Sequence, residues 1–309
     1  MPESKHIHKR RNHHHQPVNE NNLLITTFLN LVITVVEIAG GLLSGSLALL
    51  SDALHNLSDT FATFIAYLAT LIGKRQATQK KTFGYKRMEI LAALFNAVIL
   101  IVMSVFLLKE AYGRWNDPRP INSLVMLVVA MIGLLANLYA VIILKKDAHK
   151  SLNVRAAYIH LIGDSLSSVV VIIGGILIQI FKVYWIDPLI TLLISIYIIR
   201  EGFVILKESV NILMQSAPDQ LDLSRVKRRV EQIPKVNNIH HIHAWMLTDN
   251  EIHMEAHVEL KRDLKLSEVK NTHSEIEQIM VHEFHVSHIT LQFEYDTGHA
   301  PHLIHKEKG

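Results

Sequence analysis

Cysteine is missing from all 309 residues. Disulfides and thiolate metal ligands are therefore excluded, and the compartment is left open. A strong charge imbalance is missing too. Lys and Arg number 31 against 28 Asp and Glu, a net charge of +3, which is too small a field to argue for a nucleic-acid partner. The first residues are polar and rich in histidine where a cleaved leader would carry a short apolar core, so no signal peptide is expected. No Gly-x-x-x-x-Gly-Lys-Ser/Thr phosphate loop occurs, which argues against nucleotide-driven work. No His-Glu-x-x-His occurs either, because "HEFH" at 282–285 lacks one intervening residue. The chain is read as a non-enzyme.

What is present is apolar sequence and histidine. Hydrophobic residues make up 50% of the chain, and histidines number 20; the mean hydropathy is +0.24. Six apolar runs lie at about 23–43, 47–73, 88–109, 123–144, 156–181 and 188–208. Each is long enough to cross ~30 Å of hydrocarbon, which takes roughly 20 helical residues. Lys and Arg crowd the N-terminal segment and the 74–87 and 145–155 loops. The opposite side holds Lys109, Arg114, Arg119 and Lys182. The positive-inside rule then puts both termini in the cytoplasm, with the basic loops against anionic lipid. Compact loops and this plain charge bias point to a bacterial plasma membrane.

Beyond the sixth run the periodicity changes. Residues 221–233 read as a helix ended by Pro234, and a strand is expected at about 236–247. "IHMEAHVEL" (252–260) alternates, with Ile252, Met254, Ala256, Val258 and Leu260 on one face and His253, Glu255, His257 and Glu259 on the other. Residues 267–283 read as a helix opened by Ser267, and 289–295 alternate again. The order α-β-β-α-β describes a small α+β domain. The expected division is a His-rich tail (1–22), six transmembrane helices (23–210), a cytoplasmic αββαβ domain (211–296) and a C-terminal tail (297–309).

The second run carries Asp52, His55 and Asp59 in mid-span, where each is costly. His55 and Asp59 are four residues apart, hence stacked on one helix face, and Asp52 lies on the same side. The fifth run repeats the pattern with His160 and Asp164. Only His55 and His160, of all the histidines, fall within predicted spans. Two helices that each present an imidazole and a carboxylate supply an N₂O₂ set suited to tetrahedral Zn²⁺. A dication there would offset the burial cost of both carboxylates. Asp52 is read as a supporting residue that orients a ligand, relays a proton or meets the ion on entry. Glu37, Asn96 and Asn137 are read as makers of interhelical hydrogen bonds. Gly40–Gly41, Gly45 and Gly174–Gly175 allow close helix approach or hinge movement.

The segments "SLALLSDALHNLSD", "TFGYKRMEILAALFN", "LNVRAAYIHLIGDSLSSVVV", Asp187–Pro188 and "HHIHAW" resemble the cation diffusion facilitator family, and the resemblance runs from about Leu23 to Glu294. It implies a homodimeric transporter of divalent cations, usually Zn²⁺, that exchanges metal for protons, with a metallochaperone-like cytoplasmic domain. Its transport site falls on His55, Asp59, His160 and Asp164. The two imidazoles resemble the zinc-type branch, since the manganese-type branch carries aspartate at both positions. Family members also bind metal at the positions of His240, His257 and Glu294, so Zn²⁺ is expected there too. Cd²⁺ and Co²⁺ accept the same donors. A membrane-tethered metal sensor and a metal-permeable channel are the competing readings. The N-terminal "HIHKRRNHHH" (6–15) is read as a dispensable tail that can hold Zn²⁺ loosely.

Overall fold

The computed structural model describes residues 20–73, 75–145, 152–296 and 302–303. The His-rich tail, most of the 145–155 loop including His149, Lys74, and nearly all of the segment past 296 lie outside the described residues. The chain divides into two compact units. One comprises residues up to Phe61 together with Ile99–Glu201, and the other comprises Ala62–Val98 together with Gly202 onward.

Six long helices come first: α1 (Glu20–Ser44), α2 (Leu47–Gly73), α3 (Met88–Asn116), α4 (Ser123–Lys145), α5 (Leu152–Phe181) and α6 (Ile186–Leu213). Five segments have the length and apolarity for a membrane crossing: Ile25–Ser44, Met88–Asn116, Ser123–Lys145, Ala157–Phe181 and Ile186–Leu213. The second helix is not among them, although a sixth span was expected there. Asp52, His55, Asn56 and Asp59 dilute its apolar run, so composition alone does not mark it as a span. Helices α3 and α6 continue beyond the apolar runs that announced them. In α3, Glu110 and Arg114 pair one turn apart at 3.4 Å and support the polar extension.

In the first unit, the core gathers Ala48 and Leu49 of α2, Met126 and Ala130 of α4, and Val171 and Ile178 of α5, all buried. Backbones approach closely where side chains are absent. A Cβ built on Gly40 would lie 2.6 Å from Val129 Cγ2, and one on Gly175 would lie 2.9 Å from Leu127 Cδ2. These glycines are therefore packing positions between α1 and α4 and between α4 and α5.

The start of α2 is held by its neighbours. The first N–H groups of a helix lack partners within it, and here all are met. Ser46 N donates to Ser44 Oγ (3.2 Å), and Leu49 N donates to Ser46 Oγ (3.1 Å). Leu47 N and Ala48 N donate to the two oxygens of Asp187 (2.8 and 3.2 Å), and Ser46 Oγ donates to Asp187 Oδ1 (2.5 Å). Asp187, at the start of α6, is thus a capping acceptor for α2.

The second unit contains α7 (Leu223–Val230), β1 (Val236–Met246), β2 (Ile252–Leu260), α8 (Leu266–Glu283) and β3 (His288–Glu294). β2 pairs with β1 antiparallel and with β3 parallel. The expected helix at 221–233 is shorter, because Asp222 caps it by accepting from Ser224 N and Arg225 N (2.9 and 3.1 Å). Helix α8 opens at Leu266 rather than Ser267, and Glu268 accepts from Lys265 N (3.3 Å). The sheet and both helices enclose one core, in which Val226, Val230, Ile239, Met254, Val258, Ile276 and Met280 are almost wholly buried. The alternation read in 252–260 describes the strand well, with one exception. His253 is also buried, its ring against Trp245, His288 and Phe83 at centroid distances of 5.7, 5.1 and 5.6 Å.

Candidate metal centre

α2 and α5 meet through a ladder of polar side chains. At one end Asp59 Oδ2 lies 3.1 Å from His160 Nε2. In the middle His55 Nε2 lies 3.9 Å from Asp164 Oδ1. At the other end Asp52 accepts from Ser167 Oγ (2.5 Å) and Ser168 Oγ (3.4 Å). The rungs follow from spacing alone once the helices are antiparallel, since residues three or four apart share a face on each.

Three of the four expected ligands, His55, Asp59 and His160, converge on one point, and Asp164 stands beside them with a different carboxylate oxygen toward each imidazole. His55 Nε2 is 3.5 Å from Asp59 Oδ2, and His160 Nε2 is 3.6 Å from Asp164 Oδ2. Donor atoms of His55, Asp59 and His160 all lie within 4.8 Å of one another. Two ligands held 2.0–2.1 Å from a tetrahedral ion stand roughly 3.4 Å apart. The two imidazole distances to Asp59 Oδ2, 3.1 and 3.5 Å, bracket that edge, and those to the two oxygens of Asp164, 3.6 and 3.9 Å, are longer. Asp164 is buried, whereas His160 is 42% exposed, so the cluster has one closed wall and one open side.

Asp52 does not join the cluster. Its two hydroxyl donors from α5 account for both carboxylate oxygens, so it ties α2 to α5 beside the ligands. Glu37 of α1, fully buried, accepts from Asn56 Nδ2 at 2.8 Å, the interhelical bond expected of it. Asn137 differs. It is buried in α4, yet neither amide atom has a hydrogen-bond partner among the described residues. Ser167, Ser168 and Asn56 were not singled out in the sequence. Ser167 and Ser168 continue the His160–Asp164 face by one more turn, and that spacing was available as a signal. The capping role of Asp187 left no such signal.

A second cluster lies on the sheet. His240 of β1 and His257 of β2 are register partners, and Glu294 ends β3. Glu294 Oε1 is 2.7 Å from His257 Nδ1, and Glu294 Oε2 is 3.6 Å from His240 Nε2. Gln292 Nε2 donates to Glu294 Oε1 (2.8 Å), and Asn238 Oδ1 lies 2.7 Å from His240 Nδ1. A polar atom on Nδ1 turns Nε2 toward the carboxylate, which is how metal-ligating imidazoles are usually held. The backbone helps. β1 changes register between His240 and His243, where His241 adopts φ 51°, and such a bulge re-aims neighbouring side chains. The donor chemistry thus fits a divalent metal. His241 and His243 lie beside it, their rings 5.0 Å apart.

The chain is similar to known proteins along most of its length. The cation efflux transmembrane domain matches residues 23–214, and the cytoplasmic domain of cation efflux proteins matches 218–296. Similar proteins include the metal cation efflux system protein CzcD of Cupriavidus metallidurans, 39% identical over 91% of this chain and 89% of that protein. The cadmium, cobalt and zinc/H(+)-K(+) antiporter of Bacillus subtilis is 36% identical over 94% of each. Zinc transporter ZitB of Escherichia coli is 37% identical over 92% of this chain and 90% of that protein. Two domain matches that together run from residue 23 to 296, and relatives aligned along nearly their whole length, establish that this integral membrane protein belongs to the cation diffusion facilitator family of cation efflux proteins.

Proposed function

We propose that this protein exports Zn²⁺ from the cytoplasm in exchange for protons, and that His55, Asp59, His160 and Asp164 hold the ion in transit. The observation that carries this reading is the His55, Asp59 and His160 cluster between α2 and α5, with the Asp164 carboxylate against both imidazoles as the fourth ligand. Relatives named for zinc, cadmium and cobalt transport support the same class of cargo; Cd²⁺ and Co²⁺ accept the same N₂O₂ donors.

The chemistry follows from the donors. Metal requires neutral imidazoles and ionised carboxylates, so it competes with protons for the same atoms. The same side chains therefore carry either the outgoing metal or the returning protons. A more acidic far side then discharges the metal and reloads the site with protons. In this reading α2 is the sixth span, its polar stripe turned toward α5. Domain limits are 23–210 for the membrane part and 211–296 for the cytoplasmic part, with both termini cytoplasmic and a homodimer in the plasma membrane. His240, His257 and Glu294 hold a second Zn²⁺ in the cytoplasmic domain.

The test is ⁶⁵Zn²⁺ uptake into proteoliposomes with an imposed pH gradient, together with a pH-sensitive dye. Asp164→Ala should abolish flux in protein that still elutes as a folded species. Undiminished flux removes Asp164 from the site. Zn²⁺ flux without metal-dependent proton counterflow favours the channel reading.

A further inference from the structure

A cavity of about 300 Å³ lies within the second unit, between the segment that leads into α3 and the end of β1. That is the small end of the range for ligand pockets. Its lining includes Lys81, Lys86 and Arg87 and no carboxylate. Apolar walls come from Phe83, Leu91 and Trp245. Lys81 Nζ stands 4.1 Å from the centre of the Tyr85 ring, and Lys86 Nζ bonds Glu251 at 2.6 and 2.8 Å. Arg87 Nε is buried and has no hydrogen-bond partner among the described residues. A buried donor without an acceptor is unfavourable until something supplies one.

We propose that this cavity binds the phosphate of an anionic phospholipid headgroup. Lys81 and the unmet guanidinium donor of Arg87, beside a Lys86 that Glu251 already holds, call for an anion with several acceptor oxygens. The apolar walls call for a ligand that also carries hydrocarbon. Phe83 and Leu91 are 54% and 46% exposed, as side chains facing lipid would be. The cavity opens at the start of α3, a candidate membrane span, which is the layer where lipid phosphates lie. Phosphate is taken by Arg87 and Lys81, with Lys86 at its edge shared with Glu251, and the glycerol and upper acyl carbons lie on Phe83 and Leu91. Trp245 belongs to β1, so a bound lipid fastens the sheet of this unit to the segment entering α3.

The experiment uses the full-length protein in neutral detergent. Binding of dioctanoyl phosphatidylglycerol, dioctanoyl phosphatidylcholine and inorganic phosphate is measured by native mass spectrometry and by thermal shift. Phosphatidylglycerol should bind and stabilise, and phosphatidylcholine should do so far less. The triple change Lys81→Gln, Lys86→Gln, Arg87→Gln should weaken phosphatidylglycerol binding by at least about tenfold. The equally discharged Lys261→Gln, Arg262→Gln, Lys270→Gln protein should bind as wild type. Should the first triple fail to fold, Lys81→Gln and Lys86→Gln singly serve instead, since both side chains are exposed; each should weaken binding a few-fold. Equal binding of the two lipids, or equal loss in both triple variants, overturns the proposal. Inorganic phosphate that protects as well as phosphatidylglycerol assigns the cavity to a soluble phosphate and overturns the lipid.

Discussion

Replacing Asp187 by alanine tests how the transport helix is positioned. The carboxylate lies outside the metal cluster, so any effect on transport must pass through α2. Its removal leaves the N–H groups of Leu47 and Ala48 without acceptors, in residues that are 3% and 0% exposed. An unmet buried donor costs about 1–3 kcal/mol. Two of them set a range of roughly 2–6 kcal/mol, and a helix terminus that can relax brings the expected loss to the lower half, about 2–4 kcal/mol. The Ser46 hydroxyl adds little, because it can rotate to another acceptor. Asp187→Asn keeps one acceptor oxygen and should lose about half as much. The assay is unfolding by sodium dodecyl sulfate titrated into mixed micelles, paired with Zn²⁺ flux measured well below each variant's transition. Both variants should lose stability in the order Ala, then Asn, and flux should fall with it while Zn²⁺ still binds the protein. A stability within experimental error of wild type for Asp187→Ala, or a greater loss for Asn than for Ala, refutes the capping role.

Three further outcomes are expected. Gly40→Val drives methyl groups into Val129 and should cost about 1–3 kcal/mol of stability by the same unfolding assay, where a cost near zero would show that α1 and α4 can part freely. Asn238→Leu removes the acceptor on His240 Nδ1 and should lower Zn²⁺ affinity at the sheet cluster roughly 10–100-fold by isothermal titration; unchanged affinity would show that His240 needs no orientation. Burial, with His288 and Lys86 nearby, holds the His253 imidazole below its ordinary value of 6.5, and Glu251 opposes this. The folded state thus resists a proton that the unfolded chain accepts. The stabilisation is complete above pH 6.5 and is lost as pH falls toward the depressed value. His253→Phe should flatten the fall in thermal stability between pH 7 and pH 5.5, and an identical pH profile would contradict this.

Much of the membrane domain could be read directly. Apolar runs long enough to cross a bilayer are visible in composition, because hydrocarbon admits few other side chains. Their ends were less visible, since α3 and α6 run on as polar helices supported by pairs such as Glu110–Arg114. The sheet domain followed from alternation in 252–260. The burial of His253 did not, because it depends on Trp245, Phe83 and His288, three residues far apart in the chain. Asp52 shows the same limit. Its face was evident from spacing, but its role was open until Ser167 and Ser168 were seen to donate to it.

From residue order alone came the stripe on each helix, because 3.6 residues per turn puts His55 over Asp59 and His160 over Asp164. Residue order also yielded the donor types, and hence the class of ion they suit. Only the packed chain decided that the two stripes face each other, with donors 3.1 to 3.9 Å apart. Only it showed that Asp187 holds the start of α2 and that the Nε atom of Arg87 is buried without an acceptor among the described residues. Helical periodicity is local and is written into a few consecutive residues, whereas which faces meet depends on close packing among residues more than a hundred positions apart.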